Sequence, residues 1–143
     1  MNSEFSIPVR VYIEDTDAGG IVYYVNYLKY MERSRTELFR SLGFPKPAII
    51  TNDKIIVVAS ASVKYKVSAV LDDVLKVATV VDTLARSWVL MKQTVSRQDG
   101  DKITCLASGE IKLACVNRET RRPCALPSPV VNALKEHIRE QNI

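Results

Sequence analysis

The feature that most constrains the fold of this chain is one long helical pattern, followed by a second half in which strand patterns dominate. From about Tyr24 to Leu42, apolar residues recur at intervals of three and four, which predicts one long amphipathic helix. Gly43 and then Pro45 are typical of a helix end. Because 143 residues are enough to bury one core but short for two, we predict a single domain over residues 1–143.

Strand patterns lie on both sides of this helix. Before it, the run from Val9 to Glu14 alternates apolar and polar residues, as a half-buried strand does. After it we expect four strands, with a hairpin turn at Asp99–Gly100 between the last two. Their expected bounds are Ile55 to Val67, Val74 to Thr83, Trp88 to Arg97 and Lys102 to Val116. An antiparallel sheet of about five strands covered by one long helix is an α+β arrangement, and such a sheet can curl around the helix.

A short C-terminal helix is expected to complete the domain. Ser128 is predicted to be its N-cap and Pro129 its first helical residue. His137, the one histidine of the chain, is expected at the surface near the end of this helix, where its charged form suits the helix dipole. With a single histidine and no Gly-x-Ser-x-Gly turn, the sequence disfavours nucleophilic triads and zinc hydrolysis.

The composition narrows the class of protein further. The net charge of +4 comes from scattered basic residues, which favours a solvated surface over a nucleic-acid partner, although a phosphorylated ligand stays open. Three cysteines about ten residues apart fit neither a disulfide framework nor a zinc site, so we expect reduced thiols. The longest apolar run is far shorter than the roughly 18 residues of a membrane span, and the N-terminal residues lack the pattern of a secretory signal. We therefore expect a cytoplasmic protein.

The segment DTDAGGIVYYVN, residues 15–26, carries the chemistry. Gly19 and Gly20 lack a Cβ, so the backbone there can take positive φ and approach a ligand or a neighbouring chain closely. The first N–H groups of the following helix carry roughly half a positive charge and would stabilise a developing oxyanion. Asp17 would lie at the edge of that field. The segment therefore predicts carbonyl chemistry, in which the helix start polarises a carbonyl and a carboxylate supplies or activates the attacking oxygen.

Two other interpretations of this segment stay open at this point. Aspartate routinely bonds the backbone that follows it, so Asp17 could simply form the turn, and Asp15 is expected to cap or brace it. A calcium-binding loop is a weaker alternative. Its fifth position would be Gly19 and its twelfth Asn26, and neither provides the oxygen ligand expected there. We predict no metal site.

These residues resemble those of the hotdog-fold acyl-CoA thioesterases, the group that includes 4-hydroxybenzoyl-CoA thioesterase and the Tol–Pal-associated thioesterase. The likeness runs from about Val11 through Gly43 and includes EDTDAGGIVYYVNYLKYMERSRTELFRSLGF, with a weaker echo in YKVSAVLDD at 65–73. The resemblance implies a hotdog fold, in which the sheet wraps around the central helix. It also implies hydrolysis of acyl-CoA to a free acid and coenzyme A, which is part of the substrate, so no cofactor is expected.

The resemblance also implies roles for individual residues. Asp17 matches the family's catalytic carboxylate, and the backbone N–H of Tyr24, helped by that of Val25, matches the group that polarises the thioester carbonyl. Many Tol–Pal-associated members have histidine in place of Tyr24, whereas the hydroxybenzoyl branch has tyrosine. Lys64 and Lys66 are the expected contacts for the coenzyme A phosphates.

The same family resemblance implies an oligomer and further partners. Because hotdog relatives build their pockets between subunits, we expect a homodimer or homotetramer, with acyl carrier protein as a further partner. A non-catalytic module that docks on acyl carrier protein or a cell-envelope assembly is the alternative function.

On the long helix, the glutamates Glu32 and Glu37 are expected to pair with arginines, and the tyrosine cluster to pack in the core, at an interface or around the acyl group.

Overall fold

The computed structural model describes residues 4–46 and 53–142, and within them five strands and two α-helices form the domain. One 3-10 turn, Ile13–Asp15, precedes the first α-helix. The strands are β1 (Phe5–Arg10), β2 (Lys54–Tyr65), β3 (Val74–Leu84), β4 (Trp88–Asp99) and β5 (Lys102–Asn117), and the helices are α1 (Val25–Ser41) and α2 (Ser128–Gln141). The predicted α+β class, the five-stranded sheet and the long helix are therefore confirmed.

The five strands form one antiparallel sheet in the order β1-β3-β4-β5-β2. The predicted hairpin joins β4 to β5, and Gly100 in its turn has φ +63°, a conformation that glycine adopts without strain. The chain crosses from β1 to the opposite edge through α1, so β2 pairs only with β5. This topology leaves one long side of β2 without a strand neighbour among the described residues.

The core lies between α1 and the inner face of the sheet. Contacts of α1 concentrate on β3, β1 and β4, and its side chains Tyr30, Met31 and Leu38 are fully buried there. Gly109 of β5 makes room for the helix, because a Cβ at this position would lie 3.1 Å from Met31 Sδ. The approach of α1 to the sheet is therefore set partly by a position that has no side chain.

The predicted strand from Val9 to Glu14 is wrong beyond Arg10. After Arg10 the chain turns, and Ile13–Asp15 is a 3-10 turn whose Ile13 side chain is 76% exposed. The cause is local, because the Tyr12 N–H donates to Asp15 Oδ2 at 2.9 Å and closes the turn. Alternation of residue type continued past the point where this side-chain bond ended the strand.

The C-terminal helix was located correctly but two details were wrong. Ser128 is the first helical residue, Pro127 precedes it as N-cap, and no side-chain bond caps the helix. His137 is buried, with 9% of its surface exposed, and burial lowers the pKa of its imidazole. The helix presents this face to the core rather than to solvent, because Leu134 and Val130, one and two turns earlier, are fully buried.

The end of α2 also completes β3. Gln141 accepts a hydrogen bond from the Val81 N–H at 2.8 Å and donates one to the Val81 carbonyl at 3.0 Å. β1 pairs with β3 only as far as Thr79, so among the described residues the Gln141 amide is the partner of Val81 beyond the end of β1. Neither helix in the described ranges is long and apolar enough to cross a membrane.

Candidate active site

The turn at Asp17 uses both the carboxylate and the backbone of this residue. Gly19 N–H donates to Asp17 Oδ1 at 2.8 Å, and Gly20 N–H donates to the Asp17 carbonyl at 3.0 Å. Gly20 has φ +82°, in the region that glycine alone adopts readily. Within the described ranges no hydrogen bond reaches Asp17 Oδ2. The turn-forming interpretation is thus correct for one carboxylate oxygen and leaves the other available for chemistry.

Asp15 and Asn26 fix this turn to the start of α1. The Asp15 carbonyl accepts two hydrogen bonds, from the Tyr23 N–H at 3.0 Å and from Asn26 Nδ2 at 2.8 Å. Asn26 is buried, with 8% of its surface exposed. The prediction that Asp15 braces the turn agrees with these bonds. As a result, the Asp17 turn and the first turn of the helix are held as one unit.

The backbone amides at the start of α1 are available as donors. Neither the Tyr24 N–H nor the Val25 N–H donates to another described residue, whereas the N–H groups of Tyr23 and Asn26 on either side are both bonded. Such unpaired amides carry the positive end of the helix dipole. They provide two adjacent donors for a carbonyl oxygen that gains negative charge.

A pocket of about 200 Å³ brings Asp17 and Tyr24 together. Tyr27, Tyr65 and Lys66 also line it, and the Tyr65 ring packs edge-on against Tyr24 at 5.8 Å and against Tyr27 at 5.5 Å. Burial raises the pKa of Tyr65, so its hydroxyl stays protonated at neutral pH. The pocket therefore combines a carboxylate, a helix start, an aromatic wall and one cation.

Two predicted site residues do not line this pocket. Lys64 alternates with Tyr65 along β2 and so points to the opposite face of the sheet, where it borders a separate depression with Lys92 and Glu110. Val25 is half-buried at the helix start and reaches the site only through its N–H. Lys66 alone of the two predicted lysines therefore lies beside Asp17.

The four tyrosines in and just before α1 divide into two pairs. Tyr27 and Tyr30 are buried, and the Tyr27 hydroxyl accepts a hydrogen bond from the Ala69 N–H at 3.0 Å. Tyr23 and Tyr24 are about half exposed. Burial, followed by the nearby carboxylate of Asp15, raises the pKa of Tyr30. Core packing thus accounts for one pair, while Tyr24 belongs to the pocket.

A second and larger groove, of about 490 Å³, lies between α1 and β2. Phe39, Ile56 and Val58 form its apolar wall, and Arg35 of α1 reaches into it. Arg35 is only 8% exposed, and its Nη1 donates to Gln93 Oε1 at 2.9 Å. Sequence reasoning missed this site because it treated the arginines of the helix as surface partners of glutamates.

The expected pairing holds for Glu37 and Arg40, which form an ion pair one turn apart. It does not hold for Arg35, which forms no ion pair within residues 4–46 and 53–142. A signal was present in β4, where the polar Gln93 falls in the inward register of Val89, Met91 and Val95. A buried polar residue in an apolar register predicts a buried partner.

Metal ligands do not gather in the described part of the chain, since no group of three or more His, Cys, Asp or Glu side chains could hold an ion there.

The three cysteines form no disulfide, as expected. Two of them, Cys115 and Cys124, have their sulfurs 3.6 Å apart, and burial raises the pKa of the Cys115 thiol to about 11. The Cys115 thiol is therefore protonated at neutral pH.

Known proteins share both the sequence and the fold. A sequence profile of the Thioesterase-like superfamily matches residues 11–134. The chain is 38% identical to the acyl-CoA thioesterase YbgC of Haemophilus influenzae, over 91% of this chain and 93% of the relative. It is 35% identical to the acyl-CoA thioesterase YbgC of Helicobacter pylori, over 82% of this chain and 90% of the relative. This chain belongs to the Thioesterase-like superfamily.

Solved structures agree with this assignment. A probable thioesterase from Bartonella henselae is 29% identical, with a TM-score of 0.74 over 88% of this chain and 100% of that one. A 4-hydroxybenzoyl-CoA thioesterase in complex with 4-hydroxybenzoyl-CoA shares the fold at a TM-score of 0.81 and 19% identity, over 92% of this chain and 98% of that one. The sequence-based predictions of a hotdog fold and of a thioesterase enzyme are therefore confirmed.

Proposed function

We propose that this protein hydrolyses acyl-CoA thioesters, with Asp17 as the catalytic carboxylate and the backbone N–H groups of Tyr24 and Val25 as donors to the thioester oxygen. Relatives 35–38% identical to the chain carry the name acyl-CoA thioesterase or acyl-CoA thioester hydrolase, which supports the reaction class. The observation that carries the assignment of residues is that Asp17 and the unpaired start of α1 line one pocket.

The reaction needs two things from this pocket. Water must add to the carbonyl carbon, and the carbon–sulfur bond must then break so that coenzyme A leaves as a thiol. Asp17 Oδ2 takes the proton of the attacking water and returns it to the departing sulfur, or it attacks the carbonyl carbon itself and is released by water. The helix amides stabilise the oxyanion in both cases, and one such donor typically contributes ~10²–10³ in rate.

The aromatic wall and the lysine have separate roles in this proposal. Tyr24, Tyr27 and Tyr65 exclude water from the thioester and strengthen the electrostatic contacts. Lys66 at the wall is the expected contact for a coenzyme A phosphate. Lys64 stays a weaker prediction, because its depression lies on the other face of the sheet.

A dimer through β2 would complete the site. Asp17 is exposed in the single chain, and so is much of β2, including Val58 with 52% of its surface exposed. An unpaired, partly apolar edge strand is a template for pairing with a second copy about a two-fold axis. A second protomer on this edge would shield both the strand and the pocket. Tetramer formation and binding of acyl carrier protein stay predictions of the family resemblance.

The central test replaces Asp17 with asparagine. The Asp17→Asn side chain keeps an oxygen for the Gly19 N–H, so the turn survives, but it can neither accept a proton nor attack. We expect kcat for hexanoyl-CoA to fall ~10²–10⁴-fold, measured by release of the coenzyme A thiol. Asp101→Asn, at an exposed carboxylate in the β4–β5 turn, is the matched control and should leave kcat unchanged. A folded Asp17→Asn variant with near-wild-type turnover would overturn the assignment.

A further inference from the structure

The groove at Arg35 is an unusual place for a cation. Arg35 is only 8% exposed, it lines the groove together with Phe39, Ile56 and Val58, and the one hydrogen-bond acceptor found for it in the described ranges is neutral. Residues 47–52, outside those ranges, contain no Asp or Glu. An arginine stays protonated even when burial lowers its pKa, as it does here. Glu32 also lines the groove and favours the charged form of Arg35, but it forms no ion pair with Arg35 among the described residues. The positive charge is therefore only partly compensated, and a bound carboxylate would supply the hydrogen-bonded anion that is missing.

Gln93 holds this cation in place. Its Nε2 donates to the Met31 carbonyl at 2.8 Å and to Thr79 Oγ1 at 2.7 Å. These two bonds fix the amide so that only Oε1 faces Arg35. The side chains involved are buried, so the guanidinium is positioned by a rigid shell rather than by solvent-exposed contacts.

The groove and the Asp17 pocket lie at opposite ends of the same strand. Tyr65 at one end of β2 borders the Asp17 pocket, and Ile56 near the other end borders the groove. Two β2 edges that pair about a two-fold axis run antiparallel, so the Tyr65 end of one strand lies beside the Lys54 end of the other. In the dimer of the proposed function, the Asp17 pocket of one protomer thus meets the groove of its partner.

We propose that the acyl part of the substrate extends from Asp17 into this groove, and that the partner's Arg35 binds a carboxylate at its far end. This inference rests on the proposed function and names its substrate class, the CoA monothioesters of aliphatic dicarboxylic acids. The planar guanidinium fork matches a carboxylate through two parallel hydrogen bonds. The methylenes between the thioester and the carboxylate would pack on Phe39, Ile56 and Val58.

The test compares substrates that differ only in the terminal group, adipoyl-CoA with hexanoyl-CoA and suberoyl-CoA with octanoyl-CoA. For the wild-type dimer we expect kcat/KM to be ~10- to 100-fold higher for the carboxylate member of each pair, the effect of one hydrogen-bonded charge pair. Arg35→Gln should abolish this preference, because it removes the charge that distinguishes the two members of each pair. Arg33→Gln, at an exposed arginine of the same helix that does not line the groove, is the control and should keep the preference.

Several results would overturn the proposal. One is a wild-type enzyme that hydrolyses hexanoyl-CoA as well as adipoyl-CoA. Another is an Arg35→Gln variant with unchanged preference but a weaker dimer in sedimentation, since Arg35 would then serve the interface. Calorimetric binding of adipate to wild-type protein and to the Asp17→Asn variant tests the groove without turnover. Adipate binding in an enzyme that hydrolyses no acyl-CoA would refute the proposed function and retain the anion site, whereas hydrolysis without adipate binding would refute the anion site alone.

Discussion

Strands β4 and β2 have the same length and opposite environments. In β4, Val89, Met91 and Val95 point inward and are fully buried under α1 and its neighbours, while the alternate residues Leu90, Lys92 and Thr94 face outward. In β2, the stretch 58–62 is exposed on both faces. The difference arises because α1 packs over β3, β1 and β4 and leaves β2 uncovered. It teaches that β4 belongs to the core of the protomer, whereas β2 is a surface that a single chain leaves open.

The largest expected effect tests this contrast through stability. Met91→Ala removes a fully buried side chain and should lower the free energy of unfolding by about 2–5 kcal/mol. Val58→Ala on β2 should cost less than about 0.5 kcal/mol at low protein concentration, because half of that side chain already contacts water. Urea denaturation measures both. If both variants lost the same free energy of unfolding, the difference in burial between β4 and β2 would not determine stability.

The next effect concerns association rather than folding. Val58→Asp puts a charge on the exposed apolar part of β2, so it should raise the dissociation constant of a β2-mediated dimer at least about tenfold, equivalent to about 1.4 kcal/mol. Sedimentation at a series of concentrations measures this constant. Thr94→Asp, on the outer face of β4, is the control and should leave it unchanged. A dimer insensitive to Val58→Asp would locate the interface elsewhere.

The smallest effect is a pH dependence of stability that arises at the buried residue His137. Burial lowers the pKa of His137 in the folded state below its usual value near 6.5, so the unfolded chain binds a proton more readily. Stability should therefore fall as the pH drops from about 6.5 towards the lowered pKa, by no more than about 1.4 kcal/mol per pH unit. His137→Gln should lose less stability than wild type between pH 7.5 and 5.5 in thermal unfolding. An equal loss in the two proteins would exclude His137 as the cause.

Sequence patterns predicted the elements whose determinants are local and repeated. The periodic apolar positions of α1 and the Asp99–Gly100 turn fixed the long helix and the hairpin to within a few residues. The end of β1 was missed because one side-chain bond, from the Tyr12 N–H to Asp15, overrides an alternation that continues. Alternating apolar and polar residues thus predict a strand only as far as the first side-chain bond that turns the backbone.

The candidate site divides in the same way. Asp17 and Tyr24 could be found from sequence because the turn and the helix start that join them lie within one short segment. Arg35 and His137 could not, since their burial depends on which helix face meets the sheet, and that is decided by distant strands. Lys64 and Lys66 separate because β2 ends at Tyr65, so Lys66 lies beyond the strand and no longer shares the face of Lys64.

The absence of a side chain at Gly109 has a consequence for the chemistry as well as for packing. A Cβ there would lie 3.1 Å from Met31 Sδ, so the end of the Met31 side chain would have to shift by a few tenths of an ångström. The backbone amide of Tyr24 lies at the start of the same helix, about two turns from Met31. Gly109→Ala therefore tests whether a shift in the middle of α1 reaches the donor amides, where it would appear as slower turnover in a protein that still folds.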